Sequence, residues 1–149
     1  MQYLKNKISG TIWLYISFTL LLAILLVWTS VRTLRETPSR EVGLDVPDRG
    51  WITLKLRTDP FPPITSGTVT VNLASSNSRG ISVDLGPKIP FTFGSQGSQA
   101  ALGNGSATSI TDGGYQAGIS FPVPGSYWLA FDVGGSRPAQ FNLYVQPAQ

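Results

Sequence analysis

The sequence predicts an all-β fold: an antiparallel Ig-like β-sandwich of about seven or eight strands, preceded by one N-terminal transmembrane helix. Three observations predict it. No charged side chain occurs from Ile8 to Val31. Beyond residue 50 the apolar positions alternate with a period of two, and Gly, Pro, Asn and Ser separate the short runs. The chain has 149 residues, which leaves room for one such domain after the apolar segment.

The uncharged segment has the length and the flanks of a membrane-spanning helix. Residues 11–31 would rise roughly 31 Å at about 1.5 Å per residue, which matches the hydrocarbon core of a bilayer. Trp13 and Tyr15 lie near one end and Trp28 near the other, where amphipathic rings prefer the headgroup region. A cleaved signal peptide is the competing interpretation, but the residues before Arg32 offer no small-residue cleavage site. We therefore expect an uncleaved signal anchor.

The orientation of this helix depends on more than its flanking charges. Lys5 and Lys7 precede the segment, and Arg32 and Arg35 follow it, so the positive-inside rule gives nearly a tie. A cysteine-free β domain behind a single anchor is typical of domains held outside a bacterial inner membrane. We expect residues 1–10 to be a cytoplasmic tail and the C-terminal domain to be extracytoplasmic.

The rest of the chain divides into a linker and the β domain. Residues 32–49 are polar and contain Pro38 and Pro47, which predicts a juxtamembrane linker. The domain is then expected at 50–149. Alternating apolar residues predict its strands at 52–56, 69–73, 81–85, 91–93, 115–121, 127–133 and 141–145.

Two turns are predicted between these strands. Asn104-Gly105 is expected to separate a strand at 100–102 from one at 107–110. Pro124-Gly125 is expected to join the strands at 115–121 and 127–133 into a hairpin. A small barrel is the alternative to the sandwich.

The net charge of +3 reflects the N-terminal region alone. Up to Glu41 the chain has five basic and two acidic side chains, and the remainder has six of each sign. A nucleic-acid-binding domain needs a basic stripe to meet the phosphate backbone, and this domain has none. We expect no nucleic-acid partner.

The composition argues against metal chemistry and catalysis. There is no histidine, no cysteine and no methionine besides Met1, so the usual side-chain ligands of copper, zinc, haem iron and iron–sulfur clusters are missing. Only Lys55, Lys88 or an aspartate could activate a hydroxyl nucleophile, and the domain has no glutamate after Glu41 for a glycosidase-like pair. We expect no enzyme activity, no cofactor and no metal.

Two tryptophans and one loop are the candidate contacts with a partner. Trp128 is out of phase with Tyr127 and Leu129, so it points away from the core if they face it. Trp51 is the second exposed candidate, and exposed aromatic rings on a β-sandwich can bind sugars or partner proteins. Ordinary packing against the linker or a loop is the alternative. The stretch from Gly94 to Gly105, rich in Gly, Ser, Gln and Asn, is predicted to be a mobile loop or a loose hairpin.

The C-terminal half resembles the FixH and YtkA-like families. The resemblance lies in Gly114-Tyr115-Gln116-Ala117-Gly118-Ile119-Ser120-Phe121 and in Pro124-Gly125-Ser126-Tyr127-Trp128-Leu129-Ala130-Phe131-Asp132-Val133. Those families are bacterial proteins with an N-terminal membrane anchor and an extracytoplasmic β-sandwich, associated with respiratory oxidases. Several members carry Met or His that could handle copper, and this domain has neither. The resemblance implies a place beside an oxidase without a copper site.

Two classes of function are compatible with these observations. The first is a non-catalytic accessory subunit that stabilises a bacterial electron-transport complex, with integral-membrane and periplasmic subunits and the lipid bilayer as partners. The second is a tethered binding module that recognises a glycan or peptide through Trp51, Trp128 or the Gly94–Gly105 loop. An oxidase assembly factor, absent from the finished complex, is a third possibility.

Overall fold

The structure, a computed structural model, describes residues 15–27 and 39–148. They belong to two compact units, Met1–Thr37 and Pro38–Gln149, which we describe separately. In the first unit, residues 15–27 form helix α1, where the Thr19 hydroxyl donates a hydrogen bond to the Tyr15 carbonyl (2.6 Å). Among the described residues, no helix has the length and apolar character needed to span a membrane. The rest of the predicted helix at 11–31 lies outside those residues.

The second unit is an eight-stranded antiparallel sheet, which confirms the all-β class. Its strands are β1 (Arg40–Val46), β2 (Gly50–Asp59), β3 (Val69–Asn77), β4 (Lys88–Ser95), β5 (Gly103–Thr111), β6 (Gly114–Ile119), β7 (Gly125–Phe131) and β8 (Ala139–Val145). They are hydrogen-bonded in the order β1-β2-β3-β6-β5-β4-β7-β8. The outermost strands, β1 and β8, contact each other, so the sheet curls into a sandwich-like form around one core.

The alternating pattern of the sequence explains the core. In β2, β3, β7 and β8 every second side chain is buried and its neighbours face outwards. The largest fully buried side chains are aromatic, and Phe131 packs edge-on against Phe141 with ring centroids 6.0 Å apart. Burying such side chains stabilises the fold by about 1.5–3 kcal/mol each.

The β domain begins before Gly50, within the predicted linker. Residues 40–46 form β1, which pairs with β2 from Arg40 opposite Leu56 to Val46 opposite Gly50. Leu44 and Val46 are buried, each 4% exposed. The apolar positions of β1 alternate as in the other strands, but its charged and proline-flanked surroundings are typical of a linker.

The predicted strand at 81–85 is wrong. Only Ser82 forms an isolated bridge, to Ser76, and the other residues form a loop. Here the backbone N–H of Val83 donates to the Ser75 carbonyl (3.2 Å), and that of Leu85 donates to the Tyr115 hydroxyl (2.5 Å). Because these bonds go to two different strands, no continuous ladder forms.

The predicted turn at Asn104-Gly105 is also wrong, because β5 runs straight through it. The hairpin loop between β4 and β5 lies earlier, at 96–102. Gly103 and Gly105 pair with Phe93 and Phe91, and a Cβ atom on them would lie 2.6 and 2.7 Å from those rings. The glycines therefore make room for aromatic rings in a strand.

The strands at 115–121 and 127–133 form as β6 and β7, but the predicted hairpin between them does not. β6 pairs with β3 and β5, whereas β7 pairs with β4 and β8. Residues 120–124 connect β6 to β7, and these two strands have no paired neighbour in common. The Tyr127 hydroxyl holds it by donating to the Val123 carbonyl (2.7 Å).

Candidate functional site

An open groove of about 680 Å³ crosses the outer surface of β4, β5 and β7. Pro90 and Ala130 contribute to its floor, and residues 135–138 of the loop after β7 form a wall. We call it the outer groove, and its polar side chains are Thr92, Asn104, Ser106, Asp132, Ser136 and Arg137. Its volume falls in the range of about 300–1,000 Å³ that is typical of ligand sites.

The strand register explains why these side chains meet. Thr92 lies opposite Asn104 on one side and Ala130 on the other. Ser106 lies opposite Pro90, whose carbonyl accepts a hydrogen bond from the backbone N–H of Asp132 (2.9 Å). The groove is thus lined by two neighbouring cross-strand rows of outward-facing residues, one containing Thr92 and the other containing Ser106.

The polar groups of the groove have unused hydrogen-bonding capacity. Within the described part of the chain, the side chains of Thr92, Asn104, Ser106, Ser136 and Arg137 make no hydrogen bond or ion pair, and all are exposed. Asp132 accepts one hydrogen bond, from the backbone N–H of Gly134 to Oδ1 (3.1 Å).

Some polar side chains elsewhere on the outer surface are paired with each other, whereas others, such as Arg57 and Thr108, have no side-chain partner in the described chain. On β3 and β6, the Gln116 amide donates to Asn72 Oδ1 (3.1 Å). On β1 and β2, Lys55 Nζ lies 2.7 Å from a carboxylate oxygen of Glu41. What distinguishes the outer groove is that several polar side chains that do not bond to one another line a single concave surface.

The wall of the groove is held against β1. Gly135 lies so close that an added Cβ atom would be 3.2 Å from both the Asp45 carbonyl oxygen and Leu44 Cδ1. This wall therefore lies near the C-terminal end of β1.

Trp128 lies near the outer groove but is not one of its lining residues. It is on the same face of β7 as Ala130, two residues earlier, and pairs with Gly94 of β4. The indole is half-buried, and its Nε1–H donates to the Ser98 carbonyl (3.0 Å) in the 96–102 loop. The structure therefore brings together one candidate tryptophan and the candidate loop.

Trp51 lies apart from this assembly. It is on the outer face of β2 and is 56% exposed, with its ring over Gly43 of β1. The strands that carry Trp51 and Trp128 are not paired with each other. The two tryptophans are separate candidate contacts.

Most predicted membrane-interface residues lie outside the described part of the chain: Lys5, Lys7, Trp13, Trp28, Arg32 and Arg35. Tyr15 is the first described residue of α1, and its side chain is exposed.

The shifted pKa values are found away from the groove, at the 81–85 loop. The Asp84 carboxylate accepts hydrogen bonds from the Gly86 backbone N–H (2.9 Å) and the Tyr115 hydroxyl (3.0 Å), which lower the pKa of Asp84. Burial of its ring, with the nearby Asp84 charge, raises the pKa of Tyr115. These bonds tie the loop to β6, so the cluster has a structural role.

No potential metal centre is found among the described residues, since they contain no group of three or more His, Cys, Asp or Glu side chains close enough to hold an ion. In the outer groove, Asp132 is the one acidic group and Arg137 the one basic group. The side chains of the groove therefore carry no net charge, and they offer hydrogen-bonding groups to a ligand.

Sequence reasoning missed most of the groove. Asn104 lies within the candidate loop, but the other five polar residues are ordinary outward positions of strands and of one connection. Their proximity depends on the pairing of β4 with β7, which are far apart in sequence. No local signal predicts that pairing.

Comparisons with known proteins find no match for the chain among protein-family models, curated proteins or solved structures.

Proposed function

We propose that the protein is a membrane-tethered, non-catalytic binding module whose outer groove recognises a glycan or peptide. The observation that carries the proposal is the set of exposed polar side chains in the groove that bond to nothing else in the described chain. Five of the six polar side chains have their full hydrogen-bonding capacity free for a ligand. The half-buried Trp128, two residues before Ala130 on the same face of β7, adds an apolar surface nearby.

The tether is the second part of the proposal. The uncharged segment at 11–31 anchors the chain in the bacterial inner membrane, with residues 1–10 in the cytoplasm and the β domain outside. A fusion of alkaline phosphatase to the C-terminus tests the orientation, because this enzyme is active only outside the cytoplasm. We expect an active fusion that stays in the membrane after alkaline carbonate extraction. An inactive fusion would contradict the orientation.

Binding is tested with the full chain in detergent against an array of glycans and a library of peptides. We expect at least one class to bind, and the double variant Asp132→Asn/Arg137→Gln to weaken that binding. Arg57→Gln is the matched control, because Arg57 is an exposed arginine on the outer face of β2. Failure of both classes to bind would refute the proposal.

An accessory subunit of an electron-transport complex is a second candidate function, which the exposed Trp51 favours. A large aromatic side chain, 56% exposed on a strand, is typical of a protein contact. The resemblance to the FixH and YtkA-like families suggests a respiratory oxidase as the complex. Purification in mild detergent should then recover other membrane subunits, and Trp51→Ala should reduce their yield. A chain that purifies alone would contradict this function, and a partner found only during assembly would indicate an assembly factor.

A further inference from the structure

We propose that the ligand of the outer groove is a neutral oligosaccharide. This inference rests on the proposed function and names the ligand class of the same site. Three properties of the groove support it: the type of its polar groups, its balance of charge, and the position of its strands within the sheet.

The polar groups match sugar hydroxyls, each of which donates and accepts hydrogen bonds. Thr92, Ser106 and Ser136 present hydroxyls with the same dual capacity, and Asn104 presents an amide with both donors and an acceptor. Asp132 retains free acceptor capacity, while Arg137 supplies a fork of donors. A ligand with many closely spaced hydroxyls can satisfy all of these groups.

The charge of the groove favours an uncharged ligand. One carboxylate and one guanidinium line it, and no other charged side chain does. A polyanion would meet the Asp132 carboxylate and a polycation the Arg137 guanidinium, and like charges brought together in a complex weaken binding.

The pairing of β4 disfavours an extended peptide at the centre of the groove. Peptides that bind to sheets usually pair with a free strand edge, where the main chain supplies the hydrogen bonds. The central strand of the groove, β4, is already paired with β5 and with β7. A peptide therefore cannot pair with β4, and the strand contribution at the centre of the groove comes from side chains, which suits a sugar. The register of β5 with β6 begins only at Thr108, so the peptide arm of the test is aimed at the edge of residues 103–107.

Trp128 lies beyond the lining of the groove, further along β7. It lies two residues from Ala130 on the same face, roughly 6–7 Å along the strand. Its hydrogen bond to the Ser98 carbonyl fixes the orientation of the indole. A fixed aromatic ring beside polar groups can pack against the apolar face of a sugar ring without losing conformational freedom.

The test is isothermal titration of the full chain with maltotriose, cellotriose and N,N′-diacetylchitobiose. Lauryldimethylamine oxide is a suitable detergent, because maltoside and glucoside detergents carry sugar headgroups that would compete. We expect at least one sugar to bind with saturation. Thr92→Ala and Arg137→Gln should each weaken it by about two- to tenfold, the effect of losing one hydrogen bond.

Thr108→Ala and Arg57→Gln are the matched controls and should leave binding unchanged. Thr108 is an exposed threonine on β5, two residues beyond Ser106 and outside the groove. Equal urea midpoints for all four variants would show that folding is not the cause.

Three results would overturn the inference: no saturable binding of any of the three sugars, binding that Thr92→Ala and Arg137→Gln leave unchanged, or tighter binding of a heparin tetrasaccharide. If peptides bind in the groove and neutral sugars do not, the inference fails while the proposed function stands. If neither class binds, both fail.

Discussion

At the scale of single residues, the outer surface shows two uses of polar side chains. Asn72 and Gln116 bond to each other across β3 and β6, so they stabilise the sheet and need no ligand. Thr92 and Asn104 are also cross-strand neighbours, yet they make no side-chain hydrogen bond within the described chain. All four side chains are polar; Asn72 is half-buried and the other three are exposed. The free groups of Thr92 and Asn104 also line the outer groove, and this combination makes them candidates for ligand contact.

Asp84 predicts how the stability of the domain depends on pH. Its pKa lies below the ordinary aspartate value, chiefly because the Gly86 N–H and the Tyr115 hydroxyl donate to the carboxylate. The charged carboxylate therefore stabilises the fold. Its contribution is complete at pH values above the unfolded-state pKa, and it is lost as the pH falls through the lower folded-state pKa. Asp84→Asn keeps an acceptor oxygen but cannot titrate.

We expect the free energy of unfolding of wild type to exceed that of Asp84→Asn near neutral pH, and this difference to shrink as the pH falls from about 6 to about 2. Urea denaturation at each pH measures it. Asp112→Asn is the control, since the Asp112 side chain has no partner among the described residues. A difference that stays constant over this range would show that the carboxylate charge of Asp84 does not stabilise the fold.

At the scale of strands, the glycines are as informative as the apolar residues. Gly94 is buried in β4, and a Cβ atom there would lie 2.5 Å from the Trp128 ring and 2.7 Å from the Ala100 carbonyl oxygen. The backbone of the 96–102 loop cannot move aside as a flexible side chain can. The close contact between β4, Trp128 and this loop therefore requires glycine.

Gly94→Ala should destabilise the domain by about 1–3 kcal/mol, the usual cost of overpacking. Gly118→Ala is the matched control, because a Cβ atom there would meet only the Thr68 methyl group of a loop, at 2.8 Å. Its effect should be smaller. Urea unfolding of both variants measures the difference, and equal effects would contradict a fixed Trp128 position.

The same scale shows what could be predicted from sequence. The strands at 52–56, 69–73 and 141–145 could be predicted from the local alternation of apolar and polar residues, because one face of each strand is buried and the other is exposed to solvent. Pairing partners do not follow from local pattern. Pro124-Gly125 is a typical local hairpin signal, but β6 pairs with β3 and β5 while β7 pairs with β4 and β8. The groove was missed for the same reason, since it depends on the partners of β4.

At the scale of the whole molecule, the β domain has a core of its own. The buried apolar cluster extends from Leu44 to Val145, entirely within the unit Pro38–Gln149. The first strand contributes Leu44 and Val46 to this core and covers one edge of β2. The start of the domain therefore lies at β1.

Two fragments test this boundary. The fragment 38–149 should be soluble and monomeric and should unfold in one cooperative transition, because it keeps the complete sheet and core. The fragment 50–149 lacks β1, so it loses the burial of Leu44 and Val46, about 1.5–3 kcal/mol for each side chain. It also exposes the edge of β2, and an unprotected strand edge promotes association. Urea denaturation should give a lower midpoint for the shorter fragment, and size-exclusion chromatography should show that it associates. Equal midpoints and two monomers would mean that β1 is a dispensable addition to the sheet.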